Sequence, residues 1–431
     1  MSASRVLAAH CSGFLLFSAR THEAPSRLRS AHQRLLLRRR SGQPGRPSRQ
    51  MVAPAAMATP FLLTPVESGL GGLTLGLLSY AKFSITGRIL GISGAVRGLV
   101  CGSLEAWRVA FVAGLVAGGF ALQGLLPSAF EAFPAGYTLR RALLAGLLVG
   151  LGTARGSGCT SGHGISGNAR LSLRSFVATC AFMLSGMLAA HLSGVAAVFG
   201  MPPGLAPLAP LSPLSPTGVF GVTLLVVTVT TWLLLSAAAR QLDQRTGSPA
   251  ALGKELTDEP VLEKKPDLAG LPPRAAHDAQ KLAALSTASD LFSGFLFALG
   301  LGGSGMAKPS KVAGFLSVLS GTFDPSLLFV MGGALLVALP AFQLALRRSS
   351  GPLCAACYDL PAKTGVDAKL VSGALLFGAG WGLGGICPGP GLVALATLQP
   401  QALAFVAAML VGMQLERVSN TASVKLVGVP I

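Results

Sequence analysis

The chain has 431 residues, of which 51% are hydrophobic and only 12% charged, with 55 glycines and a formal net charge of +18. Soluble domains carry about 25% charged residues, so this composition excludes an ordinary soluble enzyme and names lipid as the solvent. Aromatic residues at 6% beside so much glycine suit helices that approach closely within a bilayer.

The positive charge is gathered at the start. Ten arginines, from Arg5 to Arg49, fall within the first 50 residues with one acidic residue, Glu23. An Arg- and Ser-rich, acid-poor leader has the composition of an organellar transit peptide, of a mitochondrion or a plastid, so residues 1–55 stand apart from the fold. A basic tail lying on acidic lipid is the alternative, and charge so localised is no nucleic-acid surface.

Uncharged runs then mark the spans, since about 20 apolar residues cross a bilayer. Val109–Phe130 is the first clear run. Ser175–Ala239 contains no charge at all and is cut into two spans by the Pro-rich segment Met201–Pro216. Residues 241–283 mix charge with proline and read as a solvated connector between membrane halves at 60–240 and 284–420. The second half supplies Leu291–Ala307, Pro325–Leu346 and the long run Leu370–Leu415. Two runs, Ala142–Ala154 and Val312–Phe323, are too short to span and read as broken or re-entrant helices, tolerated where backbone is buried in protein or lines a wet cavity. The expectation is an all-α, polytopic membrane protein of two pseudo-repeated halves with no catalytic apparatus.

The repeat is densest around two cysteines. Gly150, Gly152, Gly156 and Cys159 coincide with Gly378, Gly380, Gly384 and Cys387 at an offset of 228 residues. A weaker echo relates Gly87–Gly91 to Ser310–Gly314. Glycine and proline beside each cysteine stop a helix, and a half-helix that ends or begins there directs unpaired N–H groups and its dipole into the bundle. Such a place favours an anion, and a polarisable thiol adds a soft contact for a reduced-sulfur species such as thiosulfate. The conduit set is Cys159 and Cys387 with Gly158, Thr160, Ser161, His163, Pro388 and Gly389. Arg155, Arg170 and Lys311 border the broken segments as ordinary anchors or as an anion vestibule. Covalent sulfur acceptance by the same cysteines as persulfides, handed to a soluble acceptor protein, is the competing reading.

Other groups carry less. His163 follows Cys159 by four residues without a nearby carboxylate, so it reads as a hydrogen-bonded loop residue or a pore-mouth group rather than a metal ligand. Cys354 and Cys357 form one CxxC in a loop, too few ligands for zinc, and no other cofactor is implied. Cys101 and Cys180 lie in apolar runs and are expected to be buried.

Arg155–Arg174, reading RGSGCTSGHGISGNARLSLR, resembles the signature of the YeeE/YedE sulfur-transport family, and GRILGISGAVRG at Gly87–Gly98 resembles its other glycine-rich loop. GAGWGLGGICPGPGLVAL at Gly378–Leu395 resembles the small membrane protein that accompanies this family, here in the same chain. The resemblance covers roughly residues 65–415. It implies an hourglass-shaped bundle that passes thiosulfate or a similar compound between cysteine-bearing loops, and it carries over to Cys159 and Cys387. A further cysteine found on the first loop of some members has no counterpart in Ser79–Ser84, reading SYAKFS.

Overall fold

The computed structural model describes residues 61–209, 215–246, 273–347, 351–355 and 357–427. The basic leader at 1–55 lies outside them. Long apolar stretches become helices, as a bilayer demands of backbone that has no water to bond. In chain order these are α1 (Pro65–Thr86), α2 (Ile92–Val100), α3 (Ala106–Leu125), α4 (Leu139–Gly156), α5 (Leu173–Ser193) and α6 (Pro216–Thr246). The second half contributes α7 (Pro273–Gly303), α8 (Pro309–Leu316), α9 (Ser326–Arg347), α10 (Ala368–Gly384), α11 (Pro388–Ala394) and α12 (Pro400–Val427). Among the described residues the only strands are β1 (Gly204–Leu205) and β2 (Thr322–Phe323), a short parallel pair.

Polar residues set the helix starts. Thr138, Ser172 and Asp367 cap α4, α5 and α10 by accepting backbone N–H groups of Arg141, Ser175 and Leu370 at 3.3, 3.4 and 2.9 Å. Proline begins α8 and α11, where its missing N–H costs nothing.

Six of these helices are long and apolar enough to cross a membrane, and eight spans result if each of two bent pairs counts as one. One bent pair is α4 with the π-helical segment Thr160–Gly167, turned by 44°; the other is α10 with α11, turned by 41°. The protein is thus an all-α, multi-pass membrane protein.

Packing couples the halves. Helix α1 lies on α9 while α3 lies on α7; α4 lies on α12 while α5 lies on α10; α4 also meets α10, and α1 meets α7. Two glycines illustrate why the spacing is small. A Cβ on Gly150 would strike the carbonyl of Met409 in α12, and one on Gly378 would strike the carbonyl of Phe182 in α5. Side chains there would prise the helices apart.

Several expectations change. Ser79–Ser84 is not a loop but the last turns of α1. Helix α6 continues to Thr246 and α7 begins at Pro273, so the ends of the expected connector at 241–283 are helical, and 247–272 lies outside the described residues. Cys101 is half-buried and Cys180 is exposed on α5, because burial in a bilayer protein is decided by helix face, and an apolar run has a lipid face as well as a core face.

Candidate functional site: two broken helices beneath a basic vestibule

Both bent pairs are built alike. Helix α4 stops at Ser157 with φ +59°, and α10 stops at Gly385 with φ +68°, each in the left-handed region. One residue separates each stop from its cysteine. Cys159 and Cys387 then adopt extended backbone and form the N-caps of the segments beyond, Thr160–Gly167 and α11. Glycine reaches φ +68° without penalty, whereas Ser157 pays for its Cβ.

The two cysteines are buried, 1% exposed each. The Thr160 hydroxyl, next to Cys159, donates to Cys387 Sγ at 3.7 Å. Cys159 Sγ and Ser161 Oγ are 3.2 Å apart, and Ser161 Oγ also accepts the Ile92 N–H at 3.3 Å. Ser166 Oγ donates to the Leu90 carbonyl at 3.1 Å, so the GRILGISG loop is fastened to the Cys159 break at two points.

Beside Cys159 lies a small cavity of about 20 Å³, walled by Cys159, Thr160, Ser161, Met306, Met331 and Gly389 among apolar side chains. That is room for roughly one water. Three sulfur-bearing side chains stand on its wall, and Cys387 is one hydrogen bond away. Pro388 opens α11; the proline on the cavity wall is Pro390.

On the Gly158 side the constriction faces a vestibule of about 740 Å³. Gly158, Gly162, His163 and Arg170 line it, together with Arg88, Trp107, Arg174, Asp359 and Lys363. His163 is held by Ser175 Oγ and the Gly156 carbonyl, each at 3.1 Å, which makes it a brace for the break. Arg174 is fixed by the Gly365 carbonyl at 2.5 Å and by Asp367 at 3.2 Å. Asp367 lies in the loop before α10, and its carboxyl is held below the usual carboxylate range by the Leu370 N–H and by Arg174.

Arg155 and Lys311 do not join this vestibule. Arg155 bonds Ser372 at 2.9 Å and lies 3.6 Å from Glu416. Lys311 pairs with Asp324 at 3.0 Å, donates to the Leu62 carbonyl, and lines a separate cavity of about 70 Å³ with Lys308. Arg155 found its carboxylate on α12, 261 positions along the chain, and Lys311 found its own in the short stretch before α9. Cys354 is half-buried and Cys357 exposed in the loop after α9, and that loop is pinned to the end of α1 by Leu353 N–H to Ser84 and Cys354 N–H to Ile85.

Sequence reasoning passed over Lys82, Arg88 and Asp290. Lys82 and Asp290 form a buried ion pair, 1% and 0% exposed, and Arg88 reaches the same carboxylate at 3.2 Å. A signal was present: Lys82 is the lone charge between Glu67 and Arg88, and Asp290 the lone charge between Lys281 and Lys308. An isolated charge in an apolar span marks function by default.

Fold and site together define a polytopic membrane transporter. A signature described as sulphur transport matches residues 25–188, and one described as a family of unknown function (DUF6691) matches residues 286–425. Two proteins of Xylella fastidiosa strain Temecula1, each described as a probable transporter, are similar. One is 49% identical over 123 residues, covering 28% of this chain and 82% of that protein. The other is 48% identical over 129 residues, covering 29% and 93%. No solved structure matches the chain. The chain belongs to the YeeE/YedE sulphur-transport family, fused to a DUF6691 half.

Proposed function

We propose that the protein conducts thiosulfate, or a related small reduced-sulfur anion, from the vestibule past Gly158 to a gate formed by Cys159, Thr160 and Cys387. The observation that carries this reading is the 3.7 Å contact of Thr160 Oγ1 with Cys387 Sγ, which joins two breaks 227 residues apart at one constriction. Thiols and thioethers offer soft contacts to a terminal sulfur and weak S–H donors to its charge, without holding the ion so tightly that it cannot leave. A cavity of about 20 Å³ is too small for thiosulfate, so conduction requires the two breaks to part. The arginines supply attraction at the mouth.

The test is uptake of radiolabelled thiosulfate into proteoliposomes by the intact chain and by Cys159→Ala and Cys387→Ala. Loss of uptake with each variant, in folded protein, is expected; undiminished uptake ends the proposal. Mass spectrometry of the two cysteines after turnover separates conduction from covalent relay. A persulfide required for transport assigns the relay, with a soluble sulfur acceptor as partner. The leader supports residence in an organellar membrane, although the two similar proteins are bacterial and the family match begins at residue 25, inside it. A fluorescent fusion of residues 1–55 tests that location.

A further inference from the structure

We propose that the vestibule holds a binding site for a doubly charged oxoanion, with Arg88 and Arg170 as its ligands and with Asp290 holding Arg88 in reserve. This rests on the transport reading only for the ion's later passage. The site itself follows from charge and geometry.

The vestibule wall carries Arg88, Arg170, Arg174, Lys363 and Asp359. Directly behind it stand Lys82 and Asp290, bonded through Arg88, and Asp367, bonded to Arg174. Five cations therefore face three carboxylates, an excess of two. Glu105, which accepts from Trp107 on the same wall, is neutralised by Arg108 at 2.9 Å. Among the described residues Arg170 has no carboxylate partner; its Nε donates to the Ser166 carbonyl at 3.2 Å, which leaves its other N–H donors for a ligand.

Arg88 shares the Asp290 carboxylate with Lys82, and its tie to Asp290 is of a kind that can be exchanged. Asp290 gives Oδ1 to Lys82 and Oδ2 to Arg88. The Arg88 contact uses one nitrogen at 3.2 Å, and the side chain is 32% exposed. Had Arg88 been the sole partner, drawing it away would strand a buried carboxylate at great cost. Lys82 removes that obstacle, because Asp290 stays paired when Arg88 turns to an anion. Lys82 is itself steadied over Trp107 and Phe111, at 5.1 and 4.9 Å from the ring centres. The Arg88 guanidinium lies 5.3 Å from the Trp107 centre, a stacking contact that keeps it near its working position.

The unpaired Arg170 and the exchangeable Arg88 together match a dianion. A planar fork bonds two oxygens of a sulfur oxoanion at once, whereas chloride offers one charge and no such geometry. Nothing on this wall reads sulfur from oxygen. The vestibule therefore selects charge, and the cysteine constriction beneath it selects sulfur. Sulfate must bind here without passing.

The experiment measures equilibrium binding of radiolabelled thiosulfate and sulfate to the purified full chain in detergent, with chloride as competitor, alongside thiosulfate uptake into proteoliposomes. Similar binding of both dianions, weak competition by chloride, and inhibition of uptake by sulfate are expected. Arg88→Ala and Arg170→Gln should each weaken both dianions about tenfold, the usual scale for charge-assisted bonds. The charge-neutralising pair Lys82→Met with Asp290→Asn should tighten binding several-fold, since Arg88 no longer has a carboxylate to leave. Unchanged binding in monodisperse Arg88→Ala or Arg170→Gln protein, or unchanged binding in the neutralised pair, overturns the site. Should Arg88→Ala not fold, Arg88→Lys decides: it keeps the charge but loses the fork, and full-strength binding counts against the proposal. Dianion binding of this pattern without thiosulfate uptake would leave the site standing and remove the transport reading. Uptake with no vestibule binding would do the reverse.

Discussion

The Cys159 break and the Cys387 break use one backbone device in two surroundings. Each joins two helical segments through a left-handed stop, one spacer residue and an extended cysteine, with bends of 44° and 41°. Access differs sharply. The Cys159 side opens on about 740 Å³ of basic vestibule, whereas the Gly385–Ile386 side faces about 10 Å³ walled by Phe130, Phe133 and Glu131. Glu131 there accepts from the Ser310 N–H and hydroxyl, both at 2.6 Å, and Tyr137 donates to the Gly384 carbonyl at 2.9 Å, so that side is tightly fastened. The two breaks share their backbone geometry, while the segments around them, which differ, set how much space each one faces.

The largest expected effect tests the gate itself. Cys159→Ala and Cys387→Ala should depress thiosulfate uptake to a similar degree, about tenfold or more each, because Cys159 lines the small cavity and Cys387 is one hydrogen bond from Thr160 on its wall. A large effect from one alone would break the equivalence.

Access comes next. In a chain whose Cys11, Cys101, Cys180, Cys354 and Cys357 are replaced by serine, Gly162→Cys on the vestibule wall should react with a charged thiol reagent at least about tenfold faster than Thr397→Cys on the tightly packed side. Equal rates would mean that both mouths are open.

A smaller difference concerns the stops. Gly385→Ser places a side chain at φ +68°, where a Cβ would lie 2.7 Å from the Pro309 carbonyl. It should cost about 1–2 kcal/mol or more. Ser157→Gly relieves the φ of +59° and should stabilise by up to about 1 kcal/mol. Thermal unfolding in detergent reads both, and opposite signs are required.

The smallest effect is electrostatic. The Asp367 carboxyl is lowered from its ordinary 3.8, first by the Leu370 N–H. A depressed value stabilises the folded state at neutral pH, and that contribution fades as pH falls below about 4. Asp367→Asn should therefore lower the unfolding midpoint slightly at neutral pH, and the difference from the parent chain should shrink in acid.

Much of this was legible beforehand for a physical reason. Spans are written in hydropathy, and a glycine-proline cluster inside an apolar run is a helix break whatever surrounds it, so Cys159 and Cys387 could be picked out together with Thr160, Ser161 and Gly389. Partners were not legible. Arg155 and Lys311 looked like vestibule cations until Glu416 and Asp324 were found beside them. The family resemblance placed Ser79–Ser84 on a loop, yet this stretch is helical, and Lys82 within it is paired by a buried aspartate 208 residues away.

The amino-acid order alone determined a helical membrane protein, its broken segments and its two central thiols, since these depend on local apolarity and on backbone freedom at glycine and proline. Only the tertiary structure decided which cations stand beside carboxylates, which break adjoins the larger cavity and that Thr160, next to one thiol, bonds the other. Those are properties of pairs brought together across the chain, and pairing energy has no signature in either partner's neighbourhood.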